Sequence, residues 1–207
     1  MFRDIVIKIK NIFIALLIAF TSITSVFAQE SKEAFIQFNI NIPEYLQIDT
    51  VTSAVLTANI TDKTGNLYTP LASRFKVVSN CQETKTLYLK AEAITDNGSE
   101  LSMFLHGGRV YVAFTNAVNT PRSSALANCK MGSHPKESPG VVAYPVTSII
   151  GAKTKFNPGL GKYEVYIENG ITNIAVNIGS NVLRNSFDKN DPMGFYQATL
   201  FLTESDI

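Results

Sequence analysis

The chain has no tryptophan, only two cysteines and two histidines, and charge on just 17% of its 207 residues. Cys81, Cys129, His106 and His134 show neither CxxC nor HxxxH spacing, so no metal site is expected, and no cofactor motif is present. No basic stripe runs along the sequence, which argues against a nucleic-acid partner. The nucleophile elbow G-x-S-x-G is missing, and two histidines say little about a Ser-His-Asp triad. Ser133-His134-Pro135-Lys136 fits S-x-x-K and Lys63-Thr64-Gly65 fits K-T-G, but the two stand in the reverse of the order used by penicillin-interacting enzymes. Glu164 and Glu168 could pair as glycosidase carboxylates. They share the polar face of one alternating run, however, where solvated charge is the expected content. No enzyme is expected.

A sustained helical period is also lacking after residue 28. What precedes that point is distinctive. Arg3, Lys8 and Lys10 against Asp4 form a positive start, residues 12–20 are all apolar, and Val26-Phe27-Ala28 places small or apolar side chains before Gln29. Residues 1–28 therefore read as a cleaved signal peptide. A spanning helix would need about 18–20 apolar residues, and Thr21, Ser22, Thr24 and Ser25 interrupt the run too early. Cleavage after Ala28 leaves 179 residues of net charge −1, enough for one domain with a real core. In an oxidising compartment the even cysteine count predicts a Cys81–Cys129 disulfide, which would stabilise by roughly 4 kcal/mol in the chain-entropy model.

Beyond the signal, apolar residues recur with period two. Ala34, Ile36, Phe38, Ile40 and Ile42 form one such set, ended by Pro43. Others are Leu87–Leu89–Ala91–Ala93, Val110–Val112–Phe114, Tyr163–Val165–Ile167, Thr172–Ile174–Val176–Ile178 and Tyr196–Ala198–Leu200–Leu202. Asp96-Asn97-Gly98, Gly107-Gly108 and Asn169-Gly170 supply turns between them. The spacing predicts an all-β fold, an antiparallel sandwich of about seven to nine strands. Residues 121–140, rich in proline and glycine, read as a long loop, pinned by the disulfide.

The two ends of this pattern resemble the chaperone–usher fimbrial (pilin) subunits, most closely the alpha-class, colonisation-factor-like major subunits. The residues concerned are Phe35-Ile36-Gln37-Phe38-Asn39-Ile40-Asn41-Ile42-Pro43 followed by Tyr45-Leu46-Gln47-Ile48-Asp49, and, near the C-terminus, Gly194, Tyr196, Leu200 and Leu202. The resemblance implies an immunoglobulin-like sandwich (residues 44–207) behind an N-terminal extension (residues 29–43). It further implies assembly by β-strand addition, with Ile36, Phe38, Ile40 and Ile42 of the extension filling a groove on a neighbour. Partners would be identical or related subunits, a periplasmic chaperone, an outer-membrane usher and a host or surface ligand. The location would be a fimbrium at the cell surface, reached through the periplasm.

The alternation alone fits two arrangements equally: a donor for another chain, or the first strand of a complete sandwich. A monomeric secreted module binding carbohydrate or protein, through the 121–140 loop and tyrosines such as Tyr88 or Tyr111, is the alternative. A small outer-membrane barrel is disfavoured because the apolar faces are too short for a lipid belt.

Overall fold

The computed structural model describes residues 37–52, 55–60, 71–116, 126–127, 129–130, 140–179, 192 and 194–204. The expected signal peptide and Ile36 lie outside them. Contacts divide the chain into two units, Met1–Ile42 and Pro43–Ile207.

The second unit is built of antiparallel strands: β1 Leu46–Thr50, β2 Val55–Ile60, β3 Leu71–Ser79, β4 Lys85–Thr95, β5 Gly98–Leu101, β6 Met103–His106, β7 Arg109–Asn116, β8 Val141–Ile150, β9 Lys153–Asn157, β10 Lys162–Ile167, β11 Gly170–Ile178 and β12 Gly194–Thr203. Their order is β1-β3-β11-β8-β7-β12-β4-β10-β9, with β2 on β12, β5 on β4 and β6 on β7. Each run expected as a strand within residues 86–202 is one. The described strands outnumber the expected seven to nine because β1, β3, β8 and several short edge strands carry weaker alternation.

Two sheets arise because β8 belongs to both. Its residues 141–145 pair with β7, and its later part pairs with β11. The crossing occurs at Pro145, which has no N–H to give a ladder. There the register slips between Asn177 and Ile178, and Gly179 N donates to Pro145 O at 2.7 Å. A Cβ on Gly179 would lie 2.6 Å from Thr147 Cγ2, so a larger residue at this corner would have to displace the Thr147 side chain. Strands that switch sheets through such bends are how a sandwich turns its corners.

Between the sheets lies one core. Phe75, Val77, Ile174, Val176 and Ile178 enter from one sheet and Leu87, Leu89, Phe114, Tyr144, Tyr196 and Leu200 from the other, all buried. Phe114 and Tyr144 meet edge to face at 5.6 Å. These inward residues are the period-two apolar positions, as a strand with one buried face requires. The apolar faces thus meet a filled interior, the reverse of a lipid-facing barrel. The Gly107-Gly108 hairpin follows the same local logic: φ is 55° and 76°, and a two-residue turn of this hand needs both positive.

A second cluster covers the other side of β6, β7 and β8, where Leu126 and Cys129 pack with Ala93, Phe104, Ala113, Val141 and Ala143. Residues 126, 127, 129 and 130 of the expected 121–140 loop are helical. This corrects the disulfide: Cys81 is a buried free thiol, so the Cys81–Cys129 bridge is not formed. The physical reason is placement. Cys81 follows β3, with Sγ 3.7 Å from Tyr45 O, while Cys129 is held in the second cluster by apolar packing. The loop is pinned by side chains rather than by a bridge.

Candidate functional site

Residues 37–45 belong to no strand or helix. Along this stretch Phe38, Ile40 and Ile42 are 82%, 84% and 75% exposed, whereas Gln37, Asn39 and Asn41 alternate with them. Three large apolar side chains at two-residue spacing, all in water, are an unusual surface for a folded chain.

The backbone just after them is firmly held. The β1–β3 ladder reaches Leu46 opposite Ser79, and Asn80 extends it with its side chain. Asn80 N donates to Tyr45 O at 3.1 Å, Tyr45 N donates to Asn80 Oδ1 at 2.6 Å, and Asn80 Nδ2 donates to Pro43 O at 2.9 Å. Pro43 has no N–H, so main-chain pairing cannot propagate through it. Beside this clamp Lys85 Nζ lies 2.9 Å from Glu44 Oε1. Lys85, and then the Cys81 thiol, hold the Glu44 carboxyl below the usual carboxylate range, and Glu44 in turn raises the Lys85 ammonium. The sequence offered Pro43 as a stop signal but nothing that singled out Asn80, because an amide acting as a strand mimic leaves no local pattern. Asn80→Ala is expected to cost about 1 kcal/mol, typical of lost hydrogen bonds at a partly solvated site. Hydrogen exchange should then quicken at the Tyr45 amide and stay unchanged at Leu89.

At the other end of the pattern, Tyr196, Leu200 and Leu202 point into the core and Gly194 opens β12. Tyr196 is fully buried, and its hydroxyl donates to Pro192 O at 2.8 Å. A tyrosine at the start of a strand bonding back to the backbone a few residues upstream is the arrangement of a tyrosine corner. Gly194 is close to Asn116: an added Cβ would sit 3.2 Å from Nδ2. Tyr196→Phe is expected to cost about 0.5–1.5 kcal/mol, read from the urea midpoint, because it removes one of two donors to the part-buried Pro192 O, which keeps Asn116 Nδ2 at 3.5 Å.

The two edges of β12 differ. On one side β7 and then β4 accompany it to Thr203. On the other β2 pairs from Gly194 to Thr199, where Val55 is the last partner. Alongside Leu200, Phe201 and Leu202 that second edge carries no strand among the described residues.

The remaining candidates among the described residues are Glu164, Glu168, Tyr88 and Tyr111. Glu164 accepts from Tyr166 Oη at 2.8 Å and from Asn157 Nδ2 at 3.2 Å, and these bonds hold its carboxyl below its ordinary range. A carboxylate kept ionised in this way is unsuited to act as a general acid. Glu168 lines a cavity with Lys153, Tyr166 and Thr172. Ser133, His134 and residues 63–65 lie outside the described residues. No group of three or more metal-ligating side chains occurs among the described residues. Of the two tyrosines, Tyr88 sits under the Lys162 ammonium at 5.8 Å and Tyr111 stacks on Phe104 at 5.9 Å.

No family model matches the chain, and neither the curated proteins nor the solved structures contain a match.

Proposed function

We propose that this protein is an exported structural subunit of a surface fibre that assembles by β-strand addition. The donor would be the segment containing Ile36, Phe38, Ile40 and Ile42, and the receiving surface an edge of a neighbouring domain. The observation that carries this reading is the exposure of Phe38, Ile40 and Ile42, on a segment that takes no part in any sheet.

Two features support it. The Asn80 clamp secures the chain up to Pro43, so the segment before it departs from an anchored root. The β12 edge beside Leu200, Phe201 and Leu202 offers a place where an added strand would lie against core residues. Backbone hydrogen bonds would supply affinity there, and alternate side chains would supply register. Burying Phe38, Ile40 and Ile42 would contribute roughly 1.5–3 kcal/mol each. Gross stabilisation of that size is comparable with the net stability of many domains, about 5–15 kcal/mol. The resemblance to fimbrial subunits adds a route through the periplasm: a chaperone would fill the groove first, and the donor strand of the next subunit would then replace it.

Expression of the exported chain with a chaperone and usher should yield oligomer ladders that resist SDS and collapse on heating. Deleting residues 29–42 should abolish the ladders. Ladders that persist without those residues would refute the donor role.

A further inference from the structure

A second surface, unrelated to strand addition, lies where three parts of the domain converge. The β5–β6 segment, the turn between β9 and β10, and Lys130 border an open cavity of about 400 Å³. Its walls are mainly apolar, with Leu101, Met103, Phe104, Leu105 and Leu160 among them. Leu105 is 48% and Leu160 37% exposed, so part of this wall faces water. The turn is set close to β6: a Cβ on Gly161, where φ is +62°, would lie 3.0 Å from Met103 O. Phe104 is backed by Tyr111 on one side and by the second cluster on the other. The walls are therefore supported from behind.

Lys130 is the one cation among the described lining residues. Burial pushes its ammonium below the ordinary lysine range, opposed by the Glu100 carboxylate and the Cys129 thiol. Glu100 is not among the described lining residues, and no described partner holds Lys130 Nζ by a hydrogen bond or an ion pair. A partly desolvated ammonium in such surroundings gains most from a direct anionic partner.

We propose that this cavity binds an amphiphilic carboxylate, its hydrocarbon body against Leu105, Leu160 and Phe104 and its carboxylate on Lys130 Nζ. The two demands of the site select this class. An inorganic anion would satisfy the ammonium but leave the leucines in water. A neutral hydrocarbon would cover the leucines but desolvate the ammonium further without a partner. A molecule carrying both parts meets both demands. The volume is within the range of small-molecule sites, about 300–1,000 Å³.

Calorimetric titration of the full chain with octanoate, octanol and acetate tests the assignment. Octanoate should bind at least 10-fold more tightly than either octanol, which lacks the charge, or acetate, which lacks the body. Lys130→Met should reduce octanoate binding to the level of octanol and leave octanol unchanged. Apolar surfaces elsewhere on the chain would take octanol as readily as octanoate, so they cannot mimic this result. Octanoate binding no tighter than octanol, or undiminished in Lys130→Met, would overturn the proposal. Should Lys130→Met not fold, the ¹³C-methylated Lys130 resonance of the otherwise unchanged protein decides: it should move on adding octanoate, and a stationary resonance refutes the site.

Discussion

Appending a second copy of residues 34–43 after Ile207, through a flexible linker, is expected to raise the thermal midpoint and suppress ladder formation. The added strand would reach the receiving edge of its own domain and occupy it. Phe38, Ile40 and Ile42, exposed in the N-terminal segment, would contribute roughly 1.5–3 kcal/mol each on burial in the copy. Ordering the strand takes back about 1–2 kcal/mol per residue, partly offset by its new backbone hydrogen bonds. Each kcal/mol of net gain would move the midpoint of a domain this size by roughly 2–4 °C. The control is the same appended copy with Phe38→Asp and Ile40→Asp, which should lose the gain. An unchanged midpoint, or a gain that survives both aspartates, would count against strand addition at this domain.

Phe114→Ala should be among the most damaging single changes, with a loss of about 3–5 kcal/mol. The ring is fully buried between the sheets and meets Tyr144 edge to face. Two losses combine: the transfer free energy of the ring and the contacts its neighbours cannot recover in a packed interior. Against a total of about 5–15 kcal/mol, such a loss would leave the domain marginal. Phe195→Ala provides the contrast. Phe195 is 58% exposed on the outer face of β12, so its loss should stay within about 0.5 kcal/mol. Urea unfolding of both variants separates the cases, and equal effects would mean that the assigned core is not where stability resides.

Much of the architecture was legible in residue order alone. β4, β10, β11 and β12 each have one buried face and one face that is less so, and the two-residue repeat of a strand imprints that difference directly on the sequence. The turns at Gly98 and Gly107-Gly108 were legible for a similar reason, since positive φ selects glycine. β8 was not. Val141 to Tyr144 are buried on both faces, against the sandwich core on one side and the second cluster on the other, so no alternation remains to be read. The lysine-bearing cavity was equally silent, because its walls come from segments far apart in the chain.

The cysteines mark the same boundary. An even count in an exported chain predicts a bridge, but a bridge requires two sulfurs to meet, and meeting is a property of the folded backbone. Tertiary structure put Cys81 at the root of the N-terminal segment and Cys129 in an apolar cluster. The segment itself shows the division most clearly. Sequence alone determined that Phe38, Ile40 and Ile42 share one face of an extended chain, since alternation is local geometry. Whether that face would be spent on the chain's own core depended on which strands close that core. In the folded domain the core is filled by other residues, and these three remain in water.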